Sequence, residues 1–220
     1  MEQNRAHALK AHVTPHPPKP PEQSKSRAGR NLKLAVPTAV ILLALVAASV
    51  LIKIEAFVVL VAVALCIGIW EAAGAFLARR VRIPLVPLWI GTCLMVWSTW
   101  VHGLGGTIVF FVVSALFVFA IRLIDGEHRS PSDALAALFA LGWISLLGCF
   151  AVALAALDKP AWMIAVLVLM PVANDTGGWI FGVLWGKHPM SPTISPKKSW
   201  EGLAGSFVLS AIISVLLIMV

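Results

Sequence analysis

Charge is what this chain has least of: Lys, Arg, Asp and Glu make up 12% of its 220 residues, against 60% hydrophobic residues and a mean hydropathy of +0.92. So few polar groups cannot cover a water-facing exterior, which excludes a soluble domain and implies an integral membrane protein. Period-two alternation is also missing from the apolar runs, and that excludes the strands of a membrane barrel. Cysteine is scarce. Cys66, Cys93 and Cys149 stand in separate apolar segments with no CxxC or Cys/His spacing, and read as small buried hydrophobes rather than metal ligands. Walker A, GxGxxG and HExxH patterns are absent, as is any internal repeat, which removes the commonest soluble nucleotide-binding and zinc-protease readings.

What is present is a series of apolar stretches, each to be measured against the roughly 20 residues a helix needs to cross about 30 Å of hydrocarbon. Seven are expected as transmembrane helices: Leu34–Ile52, Ala56–Ala78, Ile83–Val101, Thr107–Ile124, Ala134–Leu157, Ala161–Leu184 and Leu203–Val220. The expected fold is therefore an all-α, polytopic membrane bundle over residues 34–220, with a motif loop at 186–200. Residues 1–33 hold five prolines by Pro21, scattered basic residues and His7, His12 and His16, a composition too poor in apolar surface to fold. They read as a disordered, basic cytosolic tail that favours anionic headgroups, and not as a cleavable signal, because no apolar core precedes Leu34. The tail histidines are read as chance occurrences rather than a metal site.

Basic residues resist translocation, so their distribution gives an expected orientation. Arg5, Lys10, Lys19, Lys25, Arg27, Arg30 and Lys33 fall in the tail, and Arg79, Arg80, Arg82, Arg122, Arg129, Lys187, Lys197 and Lys198 fall on the same side by helix parity. Only Lys53 and Lys159 fall opposite. The N-terminus and the motif loop are accordingly expected in the cytoplasm, and the chain in the cell (inner) membrane.

Two acidic residues lie within the spans, where an unpartnered charge costs ~2.5 to 3.5 kcal/mol at a helix centre on insertion scales. Glu71 reads either as a structural partner of Arg122 or Arg79, or as a group lining a polar cavity. Asp175 has more unusual company. Pro171, four residues earlier, is expected to kink or open the helix. Asn174 and Thr176 flank the carboxylate, and Gly178, Gly182 and Gly186 form a bare stripe on the face Asp175 shares. The glycines alone read as a packing seam; with Asn174 and Asp175 in the same stripe, the combination reads as a functional site.

After the stripe comes a turn-rich segment and an expected helix start, with Ser195 as cap and Pro196 at the first helical position. That start would put Lys197 and Lys198 in the first turn, where the helix dipole disfavours cations unless an anion is bound. Free amides, dipole and two ammonium groups suit a polyphosphate, with Ser195 and Ser199 adding hydroxyl donors. Ordinary cytoplasmic anchoring, with Trp200 at the interface, is the alternative for the lysines.

Three pieces carry a resemblance: Asn174-Asp175-Thr176-Gly177-Gly178-Trp179, then Gly182 with Gly186-Lys187-His188, then Ser195-Pro196-Lys197-Lys198-Ser199-Trp200-Glu201-Gly202. Over these roughly thirty residues the chain resembles the phosphatidate cytidylyltransferases, or CDP-diacylglycerol synthases. Gly178 stands where that family usually has alanine, and Val183-Leu184-Trp185 replaces an Arg-containing spacer. The family's second signature, a Lys-Arg and Lys-Asp stretch leading to Pro-Gly-His-Gly-Gly and Asp-Arg-x-Asp, is absent from these 220 residues, so the chain resembles a C-terminally shortened member.

The resemblance implies a CTP-dependent nucleotidyltransferase that joins CTP and phosphatidic acid into CDP-diacylglycerol and pyrophosphate, with Mg²⁺ or a similar cation as cofactor, membrane lipids as surroundings and no nucleic acid partner. Asp175, Lys197 and Lys198 are then the expected catalytic residues, with Asp175 the metal ligand. Asn174, Lys187, Ser195, Ser199 and Glu201 are the expected substrate-binding residues. The glycine stripe and the resemblance are compatible with a homodimer. Two other readings are an ion-coupled transporter, drawn from the intramembrane Asp175 beside a broken helix, and an inactive fragment acting as a packing subunit.

Overall fold

A computed structural model describes Pro15 and residues 32–124, 131–191 and 195–219. The expected disordered tail lies almost wholly outside the described residues. Among the described residues the elements are helical apart from one short hairpin: α1 (Leu32–Ile52), α2 (Ile54–Leu77), α3 (Leu85–Ile124), α4 (Pro131–Ala140) leading through a wider π-turn at Leu141–Leu146 into α5 (Leu147–Ala155), α6 (Pro160–Trp185), β1 (Pro189–Ser191), β2 (Ser195–Ser199) and α7 (Trp200–Met219). Five of the resulting helices, Ile54–Leu77, Leu85–Arg122, Pro131–Ala155, Pro160–Trp185 and Trp200–Met219, are long and apolar enough to cross a membrane, and Val36–Ile52 is a shorter apolar helix. Large apolar side chains such as Val112, Leu116, Val215 and Leu216 are exposed along them, which a bilayer covers and water would not. The chain is a multi-pass membrane protein.

Among the described residues five long apolar helices and one shorter one stand where seven spans were expected, the third and fourth expected spans being the two arms of α3 on either side of a break at Gly103. Gly103 breaks the helical path with φ 67° and ψ −162°, a left-handed conformation that glycine adopts without a Cβ penalty. Side chains on either side of it meet. Thr99 Oγ1 and Thr107 Oγ1 are 2.7 Å apart, and the Trp97 and Phe110 rings lie 6.2 Å apart, whereas thirteen residues of straight helix would separate the latter by about 20 Å. The two arms therefore run back along one another.

The chain divides into two compact units, residues 1–21 with 46–158, and residues 22–45 with 159–220. In the first, Ile69, Leu88, Met95, Leu141 and Val152 are fully buried and join into one apolar core with Cys149. Two buried threonines inside it are partnered, Thr92 Oγ1 donating to Leu88 O at 2.7 Å and lying 2.7 Å from Ser145 Oγ on the π-turn, and Thr99 Oγ1 donating to Met95 O, whereas the buried Ser98 Oγ has no partner among the described residues. The indole N–H of Trp89 donates to Cys66 O. In lipid such bonds are needed, because no water is available to replace them. Of the three cysteines expected to be buried, Cys149 is; Cys66 is half-buried and Cys93 is exposed.

After Leu77, α2 ends in a Schellman pattern: Val81 N–H donates to Phe76 O at 3.1 Å and Arg80 N–H to Leu77 O at 2.9 Å. The left-handed position of that pattern is usually glycine. Here it is Arg80, with φ 60°, at a cost of roughly 1 kcal/mol relative to glycine. Glu71 is exposed and has no hydrogen-bond or ion-pair partner among the described residues, so its expected pairing with Arg122 or Arg79 is not made. Arg122 is buried instead against the turn, where its Nη2 donates to Arg82 O.

In the second unit, α6 and α7 pack side by side through their glycines. A Cβ on Gly177 would stand 2.4 Å from Gly205 O, one on Gly205 would stand 2.3 Å from the Phe181 Cβ, and one on Gly202 would stand 2.9 Å from Gly178 O. Backbone thus touches backbone, an approach only small residues permit. The helix α6 runs through Pro171 in helical conformation rather than opening there, which removes the broken helix behind the transporter reading.

Candidate functional site

Between α6 and the hairpin leading into α7 lies a hollow of about 350 Å³, lined by Asn174, Asp175, Gly178, Gly182, Met190, Lys198, Ser199, Gly202, Leu203 and Ser206. The glycines make it: they let the two backbones approach while leaving open space beside them. Asn174 and Asp175 reach it because they precede Gly178 by four and three residues, one helical turn on the same face. The carbonyl of Asn174 accepts from Ser206 Oγ at 2.8 Å, which ties this turn of α6 to α7.

The hairpin departs from expectation. Residues 195–199 form a strand paired antiparallel with 189–191, Pro189 opposite Ser199 and Ser191 opposite Ser195, so Lys197 and Lys198 are in β2 and not in the first turn of a helix. Ser195 is a strand residue, and the cap is Ser199, whose Oγ accepts from Gly202 N–H at 3.1 Å. The physical reason is competition for backbone bonds. Pro196 holds Ser195 extended, and the N–H of Trp200 donates to His188 O at 3.0 Å, so the helix can begin only after the hairpin has closed. The amides expected to be free for an anion are thereby partly used within the chain.

Glu201, expected to bind substrate, instead clasps the hairpin. Its Oε1 lies 2.5 Å from His188 Nδ1 and its Oε2 accepts from the His188 N–H at 3.3 Å. With the Trp200 bond, three hydrogen bonds converge on His188, the residue where α6 gives way to β1. Glu201 is absent from the hollow's lining, as are Lys187 and Ser195. Lys187 is exposed just before His188. The side chain of Lys197 lies outside the described atoms.

Of the expected site residues, then, the fold gathers Asn174, Asp175, Lys198 and Ser199 around one hollow. Asp175 and Lys198 share it without forming an ion pair with each other, so both charges face the hollow's contents rather than being neutralised in advance. Among the described residues, Asp175 is the single carboxylate in the lining, and no group of three His, Cys, Asp or Glu side chains clusters. Of the Gly178, Gly182 and Gly186 stripe offered for association between copies, Gly178 and Gly182 face Gly202 of α7 in the same chain, while Gly186 is exposed beside Ser199 of β2. Sequence reading missed Gly205, Leu203, Ser206 and Met190. The Gly202-x-x-Gly205 spacing, which puts two small residues one turn apart on one helix face, is the signal that could have found the facing helix.

The family model described as the cytidylyltransferase family matches residues 33–220. Among curated proteins, the chain is similar to the phosphatidate cytidylyltransferase of Mycobacterium bovis, 36% identical over 202 residues, covering 86% of this chain and 66% of that protein. Similar matches are to the Mycobacterium tuberculosis protein of that name, 36% identical over 202 residues with 86% and 61% covered, and to the Mycobacterium leprae one, 35% identical over 203 residues with 83% and 64% covered. The chain thus spans somewhat less than two thirds of the length of these relatives. No solved structure matches it. Taken with the matched motif residues around the hollow, these likenesses show that this chain belongs to the cytidylyltransferase family.

Proposed function

We propose that the chain carries the phosphate-handling part of a phosphatidate cytidylyltransferase, which transfers the cytidylyl group of CTP to phosphatidic acid. The observation that carries this reading is the convergence of Asp175 and Lys198, unpaired with each other, on one hollow beside a membrane-spanning helix pair. In the reaction a phosphate oxygen of phosphatidic acid bonds to the α-phosphorus of CTP, the bond from that phosphorus to the oxygen bridging to the β-phosphate breaks, and pyrophosphate leaves. Two polyanions must meet for this. Neutralisation and alignment therefore account for most of the rate that the protein supplies.

In this reading Lys198 holds nucleotide phosphate, and Lys197 beside it in β2 does the same. Ser199 offers its hydroxyl as a further donor while capping α7, and Asn174 orients Asp175. Lys187, outside the hollow, meets the lipid phosphate at its mouth. Ser195 and Glu201 shape the hairpin rather than touch substrate. A magnesium ion fits the donor set: one carboxylate with neighbouring amide and hydroxyl oxygens is the sparse protein share Mg²⁺ uses when phosphates and waters complete its shell. When bound there it supplies charge neutralisation at the phosphates. The basic-residue asymmetry supports placing the hollow at the cytoplasmic face of the cell membrane, where CTP is found.

The test is formation of CDP-lipid from labelled CTP, phosphatidic acid and Mg²⁺ by the purified chain, beside a version continued past Val220 to the length of its relatives. Product from the longer version, lost on Asp175→Asn, is expected. Product unaffected by Asp175→Asn and Lys198→Gln, or its absence from both lengths, overturns the reading.

A further inference from the structure

A second place in the molecule combines charge with an apolar recess, and it lies in the first unit, apart in sequence from the family motifs. The turn after α2 carries Arg79, Arg80 and Arg82, all exposed, and none of their side chains has a partner among the described residues. The same turn borders a hollow of about 530 Å³ whose wall includes Leu77, Val81, Ile83, Pro84, Arg82 and, from the N-terminal segment, Pro15. Arginines of a cytoplasmic turn need no explanation beyond orientation in the membrane. Three features here exceed that role.

The first is Arg80. It occupies the left-handed position of the Schellman turn, where glycine is favoured and the chain would be more comfortable without a side chain. A strained non-glycine residue is evidence to be explained, and a cation held in that conformation projects from the turn. The second is rigidity. The backbone of Arg82 is held on both sides, its N–H donating to Asp133 Oδ1 at 3.1 Å and its carbonyl accepting from Arg122, so the basic turn is fixed rather than free to sweep the headgroups. The third is that Arg82 forms part of the wall of an apolar hollow, placing a guanidinium at the edge of a recess suited to hydrocarbon.

We infer that this turn and hollow form a binding site for an anionic phospholipid, its phosphate on Arg79, Arg80 and Arg82 and part of an acyl chain in the recess. Guanidinium groups match phosphate oxygens in pairs, and the recess distinguishes a lipid from a free anion. Each arginine near a membrane surface contributes about fivefold in affinity for anionic lipid. The site is independent of the hollow at Asp175.

The delipidated chain in detergent is titrated with dioleoylphosphatidylglycerol or dioleoylphosphatidylcholine, and bound lipid is counted by native mass spectrometry with inorganic phosphate as competitor. The chain is expected to hold phosphatidylglycerol about tenfold or more tighter than phosphatidylcholine, with Arg80→Gly losing about fivefold of that while melting no lower than the parent. Should Arg80→Gly fold poorly, Arg80→Asn also tolerates the left-handed backbone and is expected to show the same loss. Equal retention of the two lipids, or the parent's preference surviving in Arg79→Gln/Arg80→Gly/Arg82→Gln, overturns the proposal. So does displacement by millimolar phosphate, which would make the ligand a free anion.

Discussion

The two units treat polar groups in opposite ways. In residues 46–158, several buried hydroxyls are matched with one another, as with Thr92 and Ser145 or Thr99 and Thr107, Ser98 Oγ being a buried exception, and bulky apolar side chains fill the space around them. In residues 159–220, the packing surface is nearly bare backbone at Gly177, Gly202 and Gly205, while Asn174, Asp175 and Lys198 line open space. A membrane protein gains nothing from leaving a carboxylate and an ammonium unmatched in a cavity unless something else completes them. The first arrangement is that of a scaffold, and the second fits the phosphate-handling role proposed for it.

The sharpest break in this contrast is at Asp175. Asp175→Asn keeps the shape and removes the charge, and is expected to lower cytidylyl transfer by roughly 10²-fold or more with little change in thermal stability. A loss of stability in step with activity would instead make Asp175 part of the packing. Gly177→Ala tests the opposite property. Its Cβ would stand 2.4 Å from the backbone oxygen of Gly205, so α6 and α7 must separate, with an expected destabilisation of about 1–3 kcal/mol read from thermal unfolding in detergent.

Glu201→Gln probes whether the hairpin that presents Lys198 needs its clasp. It weakens the contact to His188, and is expected to raise the apparent KM for CTP several-fold while kcat falls less; His188→Ala should match it, and the double variant should add little, as for two ends of one contact. The smallest effect belongs to the scaffold. Ser145→Ala leaves Thr92 still bonded to Leu88 O, so about 0.6 kcal/mol is expected from unfolding measurements, with activity unchanged.

Much of the architecture was legible in the chain because the bilayer imposes a length on apolar segments. Leu34–Ile52, Ala56–Ala78 and Ala161–Leu184 correspond closely to α1, α2 and α6. The position of the turn between the third and fourth segments was less visible: Gly103 sits near Gly105 and Gly106, and which of the three turns the chain depends on contacts such as Thr99 with Thr107. The helix start was misplaced for a similar reason. Ser195-Pro196 has the local chemistry of a cap, yet the strand partner at Pro189–Ser191 and the carbonyl of His188 lie elsewhere in the chain and outweigh it.

From composition and motif alone follow the membrane, the helices and the residue types able to meet phosphate, since those depend on solvent and on chemistry carried by each residue. Which of them meet was decided by packing. Asp175 and Lys198 share a hollow because Gly177 and Gly178 let α6 lie against Gly202 and Gly205 of α7, whereas Glu201, within the same motif, is drawn away to His188 by hydrogen bonds that exist only once the hairpin has folded.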